Sequence, residues 1–247
     1  MAGPHDGNLP CLTYYLPSDE YRTGQSVLVL PGGGYGIVST AKEGHRPAQF
    51  LAAHGIAAAV LEYRHAPQRY PVPLLDAQRA VRVLRQCAAE NGLDVDRTGA
   101  MGFSAGGHLC GLLATQPPFP EAAAGDALDA LSARPDFAAP IYSVVSLAEP
   151  WSHFGSRDNL LGSDAPSGLP ERLSIEKAVN AKTPPMYLAH GQNDLAVPVE
   201  NALALYAALN SHGIPATMHL YEDFAHGIGL GANHPWAQAF LAWLADR

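Results

Sequence analysis

This 247-residue chain predicts an α/β domain with a mostly parallel central sheet and helices on both faces. Three observations carry that expectation. Short apolar runs of strand length alternate with longer segments of helical periodicity, the rhythm of repeated βαβ units. Glycine-rich turns follow two of those runs directly, at residues 31–35 and 102–107. Polar side chains able to do chemistry stand just past the ends of several runs, where a parallel sheet gathers its functional loops.

Taken in order, residues 12–16 read as an opening strand ahead of Pro17, and residues 26–30 as a β-branched run of the kind buried on both faces. Gly32, Gly33 and Gly34 stop that strand, and without side chains they let backbone N–H groups come close to a ligand. The spacing is not that of a dinucleotide fingerprint, and no Gly-Lys-Ser/Thr follows, so a phosphate loop fits poorly. Residues 48–54 end a helix before Gly55, residues 56–63 form the next buried strand, and residues 73–89 carry helical spacing up to Asn91-Gly92.

Gly102-Phe103-Ser104-Ala105-Gly106 fits Gly-x-Ser-x-Gly, with the apolar segment 98–101 before it and a helical run from His108 after it. That order of strand, sharp turn and helix exposes a serine hydroxyl on a strained backbone. Residues 117–135 read as a surface excursion. Residues 138–145 resume an apolar strand. Residues 151–182 form a second excursion, with a short helix expected over 174–179. Its aromatic residues Trp151 and Phe154 either roof a pocket or pack the excursion down. The chain is read as one domain over 1–247, with insertions at about 115–136 and 150–183.

Residues 185–191 run as a strand into Asp194, a helix covers 199–211, and the last strand, 216–221, leads to His226 in a loop. Ser104, Asp194 and His226 thus follow three different strands in an order expected of nucleophile, acid and base. Asp223 and Glu222 compete with Asp194 for the acid. Of the eleven histidines, His54, His212 and His234 read as helix-end or surface residues and His190 as support for Asp194.

A formal charge of −8, with 15 Lys and Arg, argues against a nucleic-acid partner. Cys11, Cys87 and Cys110 have no metal-like spacing and read as buried free thiols. No segment reaches transmembrane length, so no membrane partner is expected. A cytoplasmic location is the default, and a secreted or periplasmic protein stripped of its leader would read the same way. The oligomeric state is open.

From about Val27 onward the chain resembles the α/β-hydrolase carbohydrate esterases, both acetylxylan esterase-like and feruloyl esterase-like. The resemblance lies in Pro31-Gly32-Gly33-Gly34-Tyr35, Tyr63-Arg64-His65-Ala66-Pro67, the Ser104 elbow through His108, Ser156-Arg157-Asp158-Asn159-Leu160-Leu161-Gly162, residues 190–201 and His226-Gly227-Ile228-Gly229-Leu230-Gly231. It implies a catalytic triad of Ser104, Asp194 and His226 and an oxyanion hole at Gly33, Gly34 and Ala105; beside these, Tyr35, Trp151 and Phe154 are the candidate substrate contacts. Neither a cofactor nor a metal is implied. Pro31 stands where related His-Gly-Gly-Gly loops have histidine. The expected substrate is a small ester or acetylated carbohydrate, foremost acetylated xylan or its oligosaccharides. Feruloyl or generic short-chain ester hydrolysis is the alternative; arylformamidase or peptidase chemistry, or a non-catalytic binding role, comes further behind.

Overall fold

The computed structural model describes residues 9–223, 225–227 and 235–247. Seven strands of the described residues form one sheet: β1 (Cys11–Tyr15), β2 (Ser26–Leu30), β3 (Ala57–Glu62), β4 (Thr98–Phe103), β5 (Ala138–Ile141), β6 (Met186–Gly191) and β7 (Ala216–Tyr221). Their spatial order is β1-β3-β2-β4-β5-β6-β7. β1 runs antiparallel to β3, and every other neighbouring pair is parallel. β2, β4, β5 and β6 are buried along their whole length, which is why their sequences are mostly apolar or small rather than alternating, with Ser26, Thr98 and His190 as buried polar exceptions.

Among the described residues, eight α-helices follow in chain order: α1 (Arg46–Ala53), α2 (Val72–Glu90), α3 (Ala105–Thr115), α4 (Phe154–Leu161), α5 (Leu169–Arg172), α6 (Ile175–Ala178), α7 (Glu200–Ser211) and α8 (Pro235–Ala245). One face of the sheet packs on α1 and α8 through Leu51, Phe103, Tyr187, Trp236 and Phe240. The other packs on α2, α3 and α7 through Leu28, Leu84, Leu109 and Leu205. The expected two-faced α/β architecture is therefore present. α8 and α4 have no counterpart in the sequence reading. Trp236, Phe240 and Trp243, at helical spacing, were the available signal for α8.

Register places the functional loops. Leu30 pairs with Gly102, Phe103 with Ile141 and Gly191 with Tyr221, so the carboxyl ends of β2, β4, β5, β6 and β7 open onto one edge of the sheet. The strand expected over 138–145 stops at Ile141. Tyr142 has φ 34 and turns the chain, and the Val144 N–H then donates to the Ser104 carbonyl at 3.2 Å. The excursion at 117–135 contains two 3-10 turns, Pro120–Ala122 and Ala127–Ala130, and the helix expected over 174–179 is the single turn α6.

The thiols differ from expectation in one case. Cys110 is buried, its thiol pushed up to about 12 by desolvation, and Cys87 is partly buried. Cys11 is exposed, because β1 is the edge strand.

Candidate active site

Ser104 sits between β4 and α3 with φ 55 and ψ −120. The turn is tight enough to require its glycines. A Cβ on Gly106 would lie 2.1 Å from the Leu30 carbonyl oxygen, and one on Gly102 would lie 2.0 Å from that of Gly106. The Ser104 N–H donates to the Ile141 carbonyl at 3.1 Å, pinning the elbow to β5.

Ser104 Oγ lies 2.9 Å from His226 Nε2, and His226 Nδ1 lies 2.7 Å from Asp194 Oδ2. A carboxylate only accepts, so Nδ1 carries the proton toward Asp194 and Nε2 accepts from the serine hydroxyl. Asp194, 4% exposed, is clasped from both sides. Its Oδ1 accepts from the Ala196 and Val197 N–H groups at 3.0 and 2.9 Å. His190 donates to the Val197 carbonyl at 2.8 Å and approaches Asp194 Oδ2 at 3.5 Å. Burial by itself would raise the Asp194 carboxyl. The donors from His190, His226 and Val197 outweigh it and hold the group well below the usual carboxylate range. Glu222 and Asp223, the competing acids, are exposed.

The glycine loop after β2 passes against the serine: a Cβ on Gly32 would sit 2.9 Å from Ser104 Cβ. Gly33 and Gly34 have φ 131 and 64. Among the described residues, the N–H groups of Gly34 and of Ala105, first in α3, have no hydrogen-bond acceptor. From the far side, Asn159 on α4 donates to the Gly34 carbonyl at 2.9 Å.

Tyr35 departs from expectation. Its φ of 58 swings the ring inward, where it is 1% exposed, packs edge-on to Tyr63 and donates to His108 Nδ1 at 2.8 Å. It anchors the loop, and its side chain is buried in the core rather than presented at the surface. His108 Nε2 donates in turn to the Leu173 carbonyl at 2.9 Å, and desolvation lowers the imidazole to about 4.

That burial has a pH consequence. Between the usual value of 6.5 and about 4, an unfolded chain binds a proton at His108 that the folded chain refuses, so stability rises with pH across this window. Acidification from pH 6.5 to 4 is expected to cost ~3 kcal/mol through this group. Urea midpoints measured across that range should slope less in His108→Gln, and an equal slope in both proteins would remove the assignment.

Two other residues escaped the sequence reading. His153, ahead of α4, accepts from the Ser156 N–H at 3.1 Å through Nδ1, which leaves the proton on Nε2. Its Cε1 lies 3.9 Å from where a Gly34 Cβ would be, and burial followed by the nearby His226 lowers its basicity. Glu43 is buried in a π-helical turn, Thr40–His45, between α1 and the glycine loop. Neither lies in a motif with a spacing rule. Trp151 is partly exposed, and its carbonyl accepts from Asn201 at 3.3 Å. Phe154 is 48% exposed beneath the Arg157 guanidinium.

A mostly parallel sheet that presents a serine on a strand–helix elbow, with an acid and a histidine beyond later strands, is the α/β-hydrolase fold. An acetyl ester-xyloside bifunctional hydrolase from Caldicellulosiruptor lactoaceticus has the same fold, with a TM-score of 0.87 and 36% identity, covering 99% of this chain and 88% of that one. The chain belongs to the BD-FAE family, whose model it matches over residues 12–209. It is 31% identical to an acetylxylan esterase of Xylanibacter ruminicola over 88% of its own length and 43% of the relative's. It is 33% identical to endo-1,4-beta-xylanase B of Butyrivibrio fibrisolvens over 90% of its length and 35% of the relative's. The chain thus spans less than half of these two curated relatives. A Thermogutta terrifontis esterase, 25% identical with a TM-score of 0.77 and covering 96% of this chain and 88% of that one, is phosphonylated by sarin.

Proposed function

We propose that this chain is a serine carboxylic-ester hydrolase that removes acetyl groups from acetylated xylan or xylo-oligosaccharides. The observation that carries the reading is the hydrogen-bonded chain Ser104–His226–Asp194 beside the N–H groups of Ala105 and Gly34. His226 takes the Ser104 proton as Oγ attacks the ester carbonyl, and Asp194 holds the imidazole in the required tautomer and stabilises its cation. The oxyanion forms against the N–H groups of Ala105 and the Gly33-Gly34 loop, where each donor is worth roughly 10²–10³ in turnover. The imidazolium then protonates the departing alcohol, and water repeats the cycle on the acyl-serine. In this reading Trp151 and Phe154, which flank His153 in the sequence, would stack on a sugar ring of the substrate.

Acetyl-xylan specificity draws its support from the similarity to an acetylxylan esterase, a xylanase and an acetyl ester-xyloside hydrolase. The discriminating measurement is kcat/KM on acetylated xylo-oligosaccharides against methyl ferulate and p-nitrophenyl esters of rising acyl length. Acetylated oligosaccharides are expected to lead. A preference for ferulate or for longer acyl chains would replace the acetyl assignment while leaving the ester chemistry in place.

A further inference from the structure

Glu43 takes no part in the steps above, yet it is 5% exposed and forms no ion pair among the described residues. Burying a carboxylate without a cation is costly unless its oxygens are well satisfied. Both are satisfied, each by a different part of the active site. Oε2 accepts from the Gly32 N–H at 2.9 Å, at the root of the Gly33-Gly34 loop. Oε1 accepts from the Tyr142 hydroxyl at 2.9 Å, just beyond β5. The Tyr142 ring stands edge-on to the His226 imidazole, with centroids 5.1 Å apart. On the histidine loop itself, a Cβ on Gly227 would lie 3.9 Å from Oε1.

The turn that supplies Glu43 is built for the insertion. It is wound as a π-helix and packs so closely that a Cβ on Gly44 would lie 2.8 Å from Val60 and 3.1 Å from Pro31. A Cβ on Gly32 would lie 2.7 Å from Oε2, so the loop also gives up a side chain to admit the carboxylate.

We propose that Glu43 is a positioning residue: its carboxylate locks the oxyanion loop to the histidine loop through Gly32 and Tyr142, and its charge favours the imidazolium that forms at His226. This inference rests on the hydrolytic reading of Ser104 and His226. Besides Glu43, the titratable groups placed around the histidine loop among the described residues are Asp194 beyond β6, His153 ahead of α4, Tyr142 beyond β5 and Lys42 from the same π-helical turn, whose Nζ would lie 3.4 Å from a Cβ on Gly227. All of these persist when Glu43 alone is changed.

The test compares Glu43→Gln and Tyr142→Phe with the parent protein, reading kcat, KM, the pH profile of kcat/KM and the melting temperature on a p-nitrophenyl ester. Glu43→Gln is expected to lower kcat by roughly 10- to 100-fold with little change in KM, as for a reacting group held out of line. Its acid limb should also move to lower pH, because an anion near an imidazole favours the protonated form. Tyr142→Phe keeps the charge and should lower kcat without that movement. A merely structural glutamate would lower the melting temperature and leave the limb in place; that result, or unchanged kcat in Glu43→Gln, overturns the proposal. If Glu43→Gln does not fold, Tyr142→Phe decides alone, and an unchanged kcat there overturns it. Activity surviving in Ser104→Ala would defeat the hydrolytic reading instead, whereas an inert Ser104→Ala beside an unaltered Glu43→Gln defeats only the role given to Glu43.

Discussion

Ser104→Ala is expected to lower kcat by roughly 10⁶-fold while leaving the protein folded, the loss typical when the nucleophile of such a group is removed. The fold should tolerate the change because the backbone at residue 104 already carries a Cβ and holds its place through main-chain bonds to Ile141 and Val144. What disappears is the hydroxyl that lies 2.9 Å from His226 Nε2. Circular dichroism and melting curves should match the parent. Labelling by a fluorophosphonate probe, which needs an activated serine hydroxyl, should be abolished. Near-parent turnover would end the serine-hydrolase account.

Asp194→Asn is expected to cost about 10⁴-fold in kcat, since an amide facing Nδ1 favours the wrong imidazole tautomer. Asp223→Asn should change turnover only a few-fold, because that side chain is exposed. The relevant linkage has a definite sign. The Asp194 carboxyl is depressed, so the stability it confers is present above its unfolded value, near 3.9, and is lost only as pH falls through its lower folded value. An acid limb in the pH profile at pH 5–7 therefore does not come from this carboxylate. If Asp223→Asn proves the more damaging change, the acid has been misassigned.

The buried strands, the elbow and the order of serine, acid and histidine were all legible in the sequence because each is a local signal. A continuous apolar run means burial on both faces, and glycines around a serine mean a turn too tight for side chains. What escaped depended on partners distant along the chain. Nothing in residues 138–145 announces that the strand must bend at Tyr142; the bend exists because Val144 bonds the Ser104 carbonyl from beyond it. Tyr35 follows the glycines as a ligand-facing aromatic would, and only His108, 73 residues further on, draws it into the core. Thr40–His45 has no periodicity to read, and the role of Glu43 emerges only where Gly32, Tyr142 and Gly227 converge.

The φ of 55 at residue 104 also bears on how this protein can be improved. Glycine occupies such backbone space far more readily than serine. A library selected for heat resistance alone would therefore be drawn toward glycine at that position, and its winners would be inert. Endurance and turnover pull this one residue in opposite directions, so engineering should hold residue 104 fixed and look for robustness in parts of the chain remote from the elbow.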